Sequence, residues 1–102
     1  MSKRILQINF KFNVSRSEYE EVADQLAQSF ADLSGLRWKI WLMNETEMEA
    51  GGIYLFKDET SVQNFLNGSL AAQVTSHPAL SDFSVKTFEV MSYPTEIARG
   101  PI

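Results

Sequence analysis

The chain reads as an α+β fold built from four strands and two helical regions in the order β-α-β-β-α-β. Two observations predict it. Residues 5–14, Leu36–Asn44, 50–56 and 83–90 alternate between apolar and polar side chains, and the stretches after Ser15 and Asp58 repeat their apolar residues at helical spacing. A third fixes the pairing of the middle strands. The polar link 44–49 is hairpin-sized, so the strands on either side of it run antiparallel.

In the first strand, Leu6, Ile8, Phe10, Phe12 and Val14 form an apolar face, and Gln7, Asn9, Lys11 and Asn13 an amide-rich one. Ser15 or Ser17 then opens a helix, each with a glutamate three residues on, the pattern of a capping box. Val22, Leu26, Phe30 and Leu33 supply its apolar stripe, and Gly35 suits its end. The second strand alternates Leu36, Trp38, Ile40 and Leu42 with Arg37, Lys39, Trp41 and Met43. Gly51-Gly52 at the start of the third strand implies a bulge or a close backbone approach. Asp58 caps a helix over Glu59–Leu66, Asn67-Gly68 breaks it, and a second helical piece over 69–77 stops at Pro78. After the fourth strand, 91–102 holds Pro94, Gly100 and Pro101 and reads as an arm or a frayed tail. This is the ferredoxin-like pattern, with the helices on one face of the sheet. At 102 residues the chain is expected to form a single domain, 1–102.

Composition narrows the function. A net charge of -4 with scattered basic residues argues against nucleic acid. With no cysteine and one histidine, His77, a metal site is not expected. No apolar run approaches the roughly 20 residues that span a bilayer. A soluble, cytoplasmic protein that binds no membrane is the default expectation. His77 precedes Pro78 at a helix end, where a protonated imidazole suits the helix dipole better than it suits a role as base or haem ligand.

Helices on one side leave one sheet face uncovered. Leu6, Ile8, Phe10, Trp38, Ile40, Leu55 or Tyr54, Phe88 and Val90 are expected beneath the helices. The open face is expected to carry Gln7, Asn9, Lys11, Arg37, Lys39, Trp41 and Met43, with Val85, Thr87 and either the Ile53/Leu55 or the Tyr54/Phe56 pair. A face so mixed fits a pocket or an interface. A second copy could cover it, since a standard interface buries about 800 Å² per partner. An obligate homodimer follows as an expectation, sheet facing sheet, with Trp41 at or beside the contact.

Several of these residues carry a resemblance. Leu6-Gln7-Ile8 with Phe10 and Phe12-Asn13, Gly35 with Trp38-Lys39-Ile40-Trp41, and the run from Glu49 to Phe56 with Asp58 and Ser61 resemble the YdhR family of small monooxygenases. The resemblance spans Leu6 to about Val90. It implies a dimeric α/β barrel, two ferredoxin-like protomers packed sheet to sheet. It also implies kinship with cofactor-independent monooxygenases, which use Trp, Tyr and Asn around an aromatic substrate with no metal or flavin.

The candidate catalytic residues are Tyr54, Asn9 and Trp41. Trp41, Trp38, Arg37, Lys39, Gln7, Met43 and Glu49 are candidates for substrate binding. Each has a plainer reading: Trp38 as core, Trp41 as interface, Tyr54 as a core tyrosine, Asn9 as a barrel-lining amide, Glu49 in a cross-strand ion pair with Arg37 or Lys39. The leading expectation is a homodimeric, cofactor-independent monooxygenase acting on a small aromatic or quinol-like molecule. The alternative is a non-catalytic homodimeric module that binds a small ligand or a partner.

Overall fold

The computed structural model describes residues 2–102. Strand β1 (Arg4–Phe12) is followed by helix α1 (Arg16–Ala31), strands β2 (Leu36–Asn44) and β3 (Glu49–Phe56), helices α2 (Glu59–Leu66) and α3 (Ser69–Thr75), strand β4 (Leu80–Glu89) and helix α4 (Ser92–Ile97). The sheet is antiparallel in the order β2-β3-β1-β4, so the fold is ferredoxin-like. Ser15 caps α1 with a complete capping box: its side chain accepts from the Glu18 amide, and Glu18 reaches back to the Ser15 amide. Asp58 caps α2 by accepting from the Ser61 amide.

Leu6, Ile8, Phe10 and Phe12 pack beneath the helices with Tyr54 and Phe56, joined by Tyr19 and Phe30 of α1 and Val62 and Phe65 of α2. Their rings form a continuous array, with Phe30, Tyr54, Phe56 and Phe65 centroids 5.4–6.0 Å apart.

Strand β2 departs from the sequence reading. Leu36 pairs with Phe56 but Trp38 pairs with Leu55, so Arg37 is the extra residue of a bulge. The bulge shifts the side-chain phase. Leu36 packs on the helix side, and beyond the bulge Lys39, Trp41 and Met43 lie there too. Trp38, Ile40 and Leu42 fall on the open face, opposite to expectation, and Ile40 is 51% exposed. Uninterrupted alternation cannot register an inserted residue.

The Gly pair produces no bulge, because pairing with β1 runs unbroken from Arg4–Phe56 to Lys11–Glu49. It serves the close approach instead. Gly51 has φ +154, and a Cβ there would run into the Ile8 carbonyl. That register places Tyr54 and Phe56 on the helix side, and Ile53 and Leu55 on the open side.

Strand β4 begins three residues earlier than expected. Asp82, at φ 56, marks a second bulge that turns Phe83 onto Phe10, with centroids 5.4 Å apart. Val85 and Thr87 lie on the helix side, and Phe88 on the open side at 47% exposure, each the reverse of expectation. The arm contains the short helix α4, with Pro94 in its first turn, where no helical N–H is lost. Beyond it the chain returns to the open face, and Trp38 Nε1 donates to the Pro101 carbonyl at 2.7 Å. Leu55 is 1% exposed although it lies outside the helix-side core, consistent with cover from this arm.

Candidate functional site

A cavity of about 410 Å³ lies between the helix side of the sheet and the helices. Tyr19 and Phe30 line it from α1, Lys39 and Trp41 from β2, Tyr54 from β3 and Phe65 from α2. A volume of that order holds a small molecule, and apolar walls with few polar groups are the usual make-up of such a site.

Lys39 is the unusual group. Its Nζ sits 3.4 Å from the Phe30 ring centroid, 3.3 Å from Trp41 and 4.6 Å from Tyr54. Register explains the cluster: Lys39 pairs directly with Tyr54, while Trp41 pairs with Gly52. Gly52 leaves the space into which Lys39 folds, since a Cβ there would stand 2.7 Å from Lys39 Cε. The cavity lining contains no carboxylate. Among the described residues the ion pairs join Arg4 and Arg16 to glutamates and leave Lys39 out.

Burial pulls the Lys39 amine down to about 7. The ring faces oppose this by favouring the ammonium. Near neutral pH both the amine and the ammonium are therefore populated. The other ionisable groups in the lining are Tyr19 and Tyr54. Burial pushes Tyr19 up to about 12, and burial with the nearby Tyr19 raises Tyr54 further, so both hydroxyls hold their protons. Such a set can stack a flat ring, accept a proton at Lys39 Nζ, and donate from two phenols.

Of the residues singled out in the sequence, Tyr54, Trp41 and Lys39 meet at this cavity. Met43 is on the same side but lines a shallower groove between α1 and β2. Gln7, Asn9 and Glu49 lie on the open face as a chain: Gln7 Nε2 donates to Asn9 Oδ1 at 3.1 Å, and Asn9 Nδ2 to Glu49 Oε2 at 3.1 Å. Glu49 thus takes an amide, and the expected ion pair with Arg37 or Lys39 does not form. Arg37 is exposed at the bulge, and Trp38 is bound to the arm. Trp41, under α1, is not on the open face where a facing sheet would meet it; its ring lies edge-on to Phe30 at 5.2 Å. His77 is outside the lining, its Nδ1 accepting from the Ala79 amide.

Sequence reasoning missed Tyr19 and Phe30. The only signal was their spacing: Tyr19, Val22, Ala23, Leu26 and Phe30 form one helical stripe. Among the described residues no group of three His, Cys, Asp or Glu is placed to share a metal ion. Among the described residues no helix is long and apolar enough to cross a membrane.

The model of the family described as "Putative mono-oxygenase ydhR" matches residues 5–101. The chain belongs to that family. Membership classes it with mono-oxygenases, and so with oxidoreductases. No curated protein matches it. Solved structures agree on the fold. A protein of unknown function from Nitrosomonas europaea is 24% identical, with TM-score 0.69, covering 90% of this chain and 92% of its own. SnoaB, a cofactor-independent oxygenase from Streptomyces nogalater, is 18% identical with TM-score 0.72, covering 88% and 94%. The haem-degrader MhuD from Mycobacterium tuberculosis, seen with two haems in its active site, is 19% identical with TM-score 0.66, covering 85% and 95%.

Proposed function

We propose that this family member is a cofactor-independent monooxygenase whose site is the Lys39 cavity, acting on a small phenolic or quinol-like aromatic. The observation that carries the reading is the Lys39 amine, set among three aromatic faces and without a counter-ion. Trp41 and Phe30 bind the flat ring. The neutral Lys39 amine takes the acidic proton of the substrate, and the ammonium formed stays beside the resulting anion. In an apolar cavity that charge pair is worth far more than in water. Tyr54 and Tyr19 donate to the substrate oxygens. The electron-rich anion then reacts with O₂. For an activated CH₂ group, one oxygen atom becomes the new carbonyl oxygen and the other leaves as water with the two hydrogens. The four electrons come from the substrate, so no external donor is required. SnoaB, described as a cofactor-independent oxygenase, supports the class of reaction through the shared fold.

The test is turnover of hydroquinones and anthrone-like phenols with the Lys39→Met and Tyr54→Phe variants. Lys39→Met is expected to lower kcat/KM by about 10²–10⁴-fold, the usual contribution of a positioned base. Tyr54→Phe should lower it less and leave ring binding intact. Binding without turnover in the wild-type chain would instead favour a ligand-binding module.

We also propose that a second copy covers the open sheet face. Ile40 and Phe88 are half exposed there, and the arm residues Met91, Tyr93 and Ile97 are 64–76% exposed. That much apolar surface on a small domain favours association.

A further inference from the structure

We propose that the cavity is also a carbonyl-capture site, in which the Lys39 amine forms an imine with a small aromatic aldehyde. Three observations on the geometry lead there. Nζ is held among ring faces with no carboxylate in the lining to keep it charged. The space in front of it, about 410 Å³, is lined by apolar side chains that suit a benzene-type ring. Tyr54, directly opposite Lys39 in the strand register, brings a phenol that stays protonated and can hydrogen-bond a carbonyl oxygen. A lysine desolvated in an apolar pocket is activated as a nucleophile because its neutral form is populated. The charged and titratable groups facing it are few: Tyr54 from β3, Tyr19 from α1, and none from α2, α3 or β4.

The step is balanced without an oxidant. The amine nitrogen attacks the carbonyl carbon, the C=N bond forms, and the carbonyl oxygen leaves as water with both amine hydrogens. It shares the cavity with the oxidation proposed above but uses none of its steps, since no O₂ is consumed. The two readings can therefore fail separately.

The test is benzaldehyde with cyanoborohydride at pH 7, followed by peptide mapping of the intact wild-type chain. Lys39 should carry a benzyl group. The exposed Lys57 and Lys86 lack such an apolar enclosure and should label at least about a hundredfold more slowly. Lys39→Arg keeps the charge and should lose the adduct. Labelling of Lys39 no faster than of the exposed lysines would overturn the proposal, and mapping needs no variant to show it.

Discussion

Lys39 owes its chemistry to a missing side chain and to three rings. Gly52 makes room for the lysine stem, and the rings of Phe30, Trp41 and Tyr54 surround its end. The two glycines should therefore respond differently to substitution. Gly51→Ala sets a Cβ against β1 backbone at positive φ and should cost several kcal/mol, about 2–4 by denaturant unfolding. Gly52→Ala meets the flexible end of Lys39, so it should fold nearly as well yet lose turnover. Burial of Lys39 also predicts a pH dependence of stability. Its folded value is about 7 and its ordinary value 10.5. Between these the unfolded chain holds a proton that the folded chain has shed, so raising the pH favours folding. Stability should climb from pH 7 towards 10, by up to about 5 kcal/mol, and Lys39→Met should flatten the climb. Above pH 10 the buried tyrosines act the other way, because the unfolded chain ionises them first. Lys39, Trp41 and Tyr54 could each be picked out from sequence as candidate site residues. Which face they share could not, because a one-residue change of phase reverses every assignment.

At the scale of elements, legibility followed the locality of the signal. Ser15 and Glu18 lie three residues apart, and the capping box they spell is present. Ser15→Ala should destabilise the chain by about 1 kcal/mol, read as a shift in the urea midpoint without a change in slope. Gly35 was read as the residue that stops the first helix, but α1 already ends at Ala31 with Asp32 as its cap, and Gly35, at φ +83, forms the turn into β2 instead. The bulges at Arg37 and Asp82 left no such mark. Neither position is a glycine, and each bulge exists because pairing across the sheet requires it. The first of them carries Lys39, Trp41 and Met43 to the helix side, so the element that sets the site was the one least visible in its own residues. The arm was read as irregular because of Pro94, yet a proline in the first turn is compatible with the short helix that forms.

For the whole molecule, the β-α-β-β-α-β order and hairpin link were sufficient to give the ferredoxin-like sheet, since few topologies satisfy both. The cavity was harder to read because it is a gap between layers, set by which side chains are small or absent on facing elements. The open face bears on assembly. Ile40→Glu should leave the fold and cavity unchanged in circular dichroism, since Ile40 is 51% exposed. It should shift the wild-type dimer expected at micromolar concentration towards monomer in sedimentation, because a facing copy would bury the charge. The central claim is that Lys39 drives an O₂-dependent oxidation, and the direct measurement is the pH profile of O₂ uptake by the wild-type chain and Lys39→Met with an anthrone-like phenol. The wild-type rate should rise with pH through a midpoint near 7, as the amine is freed, with one O₂ consumed per substrate, and Lys39→Met should lose nearly all of it. Uptake by a folded Lys39→Met variant at the wild-type rate, or none by the wild-type chain across the phenol panel, would contradict the account.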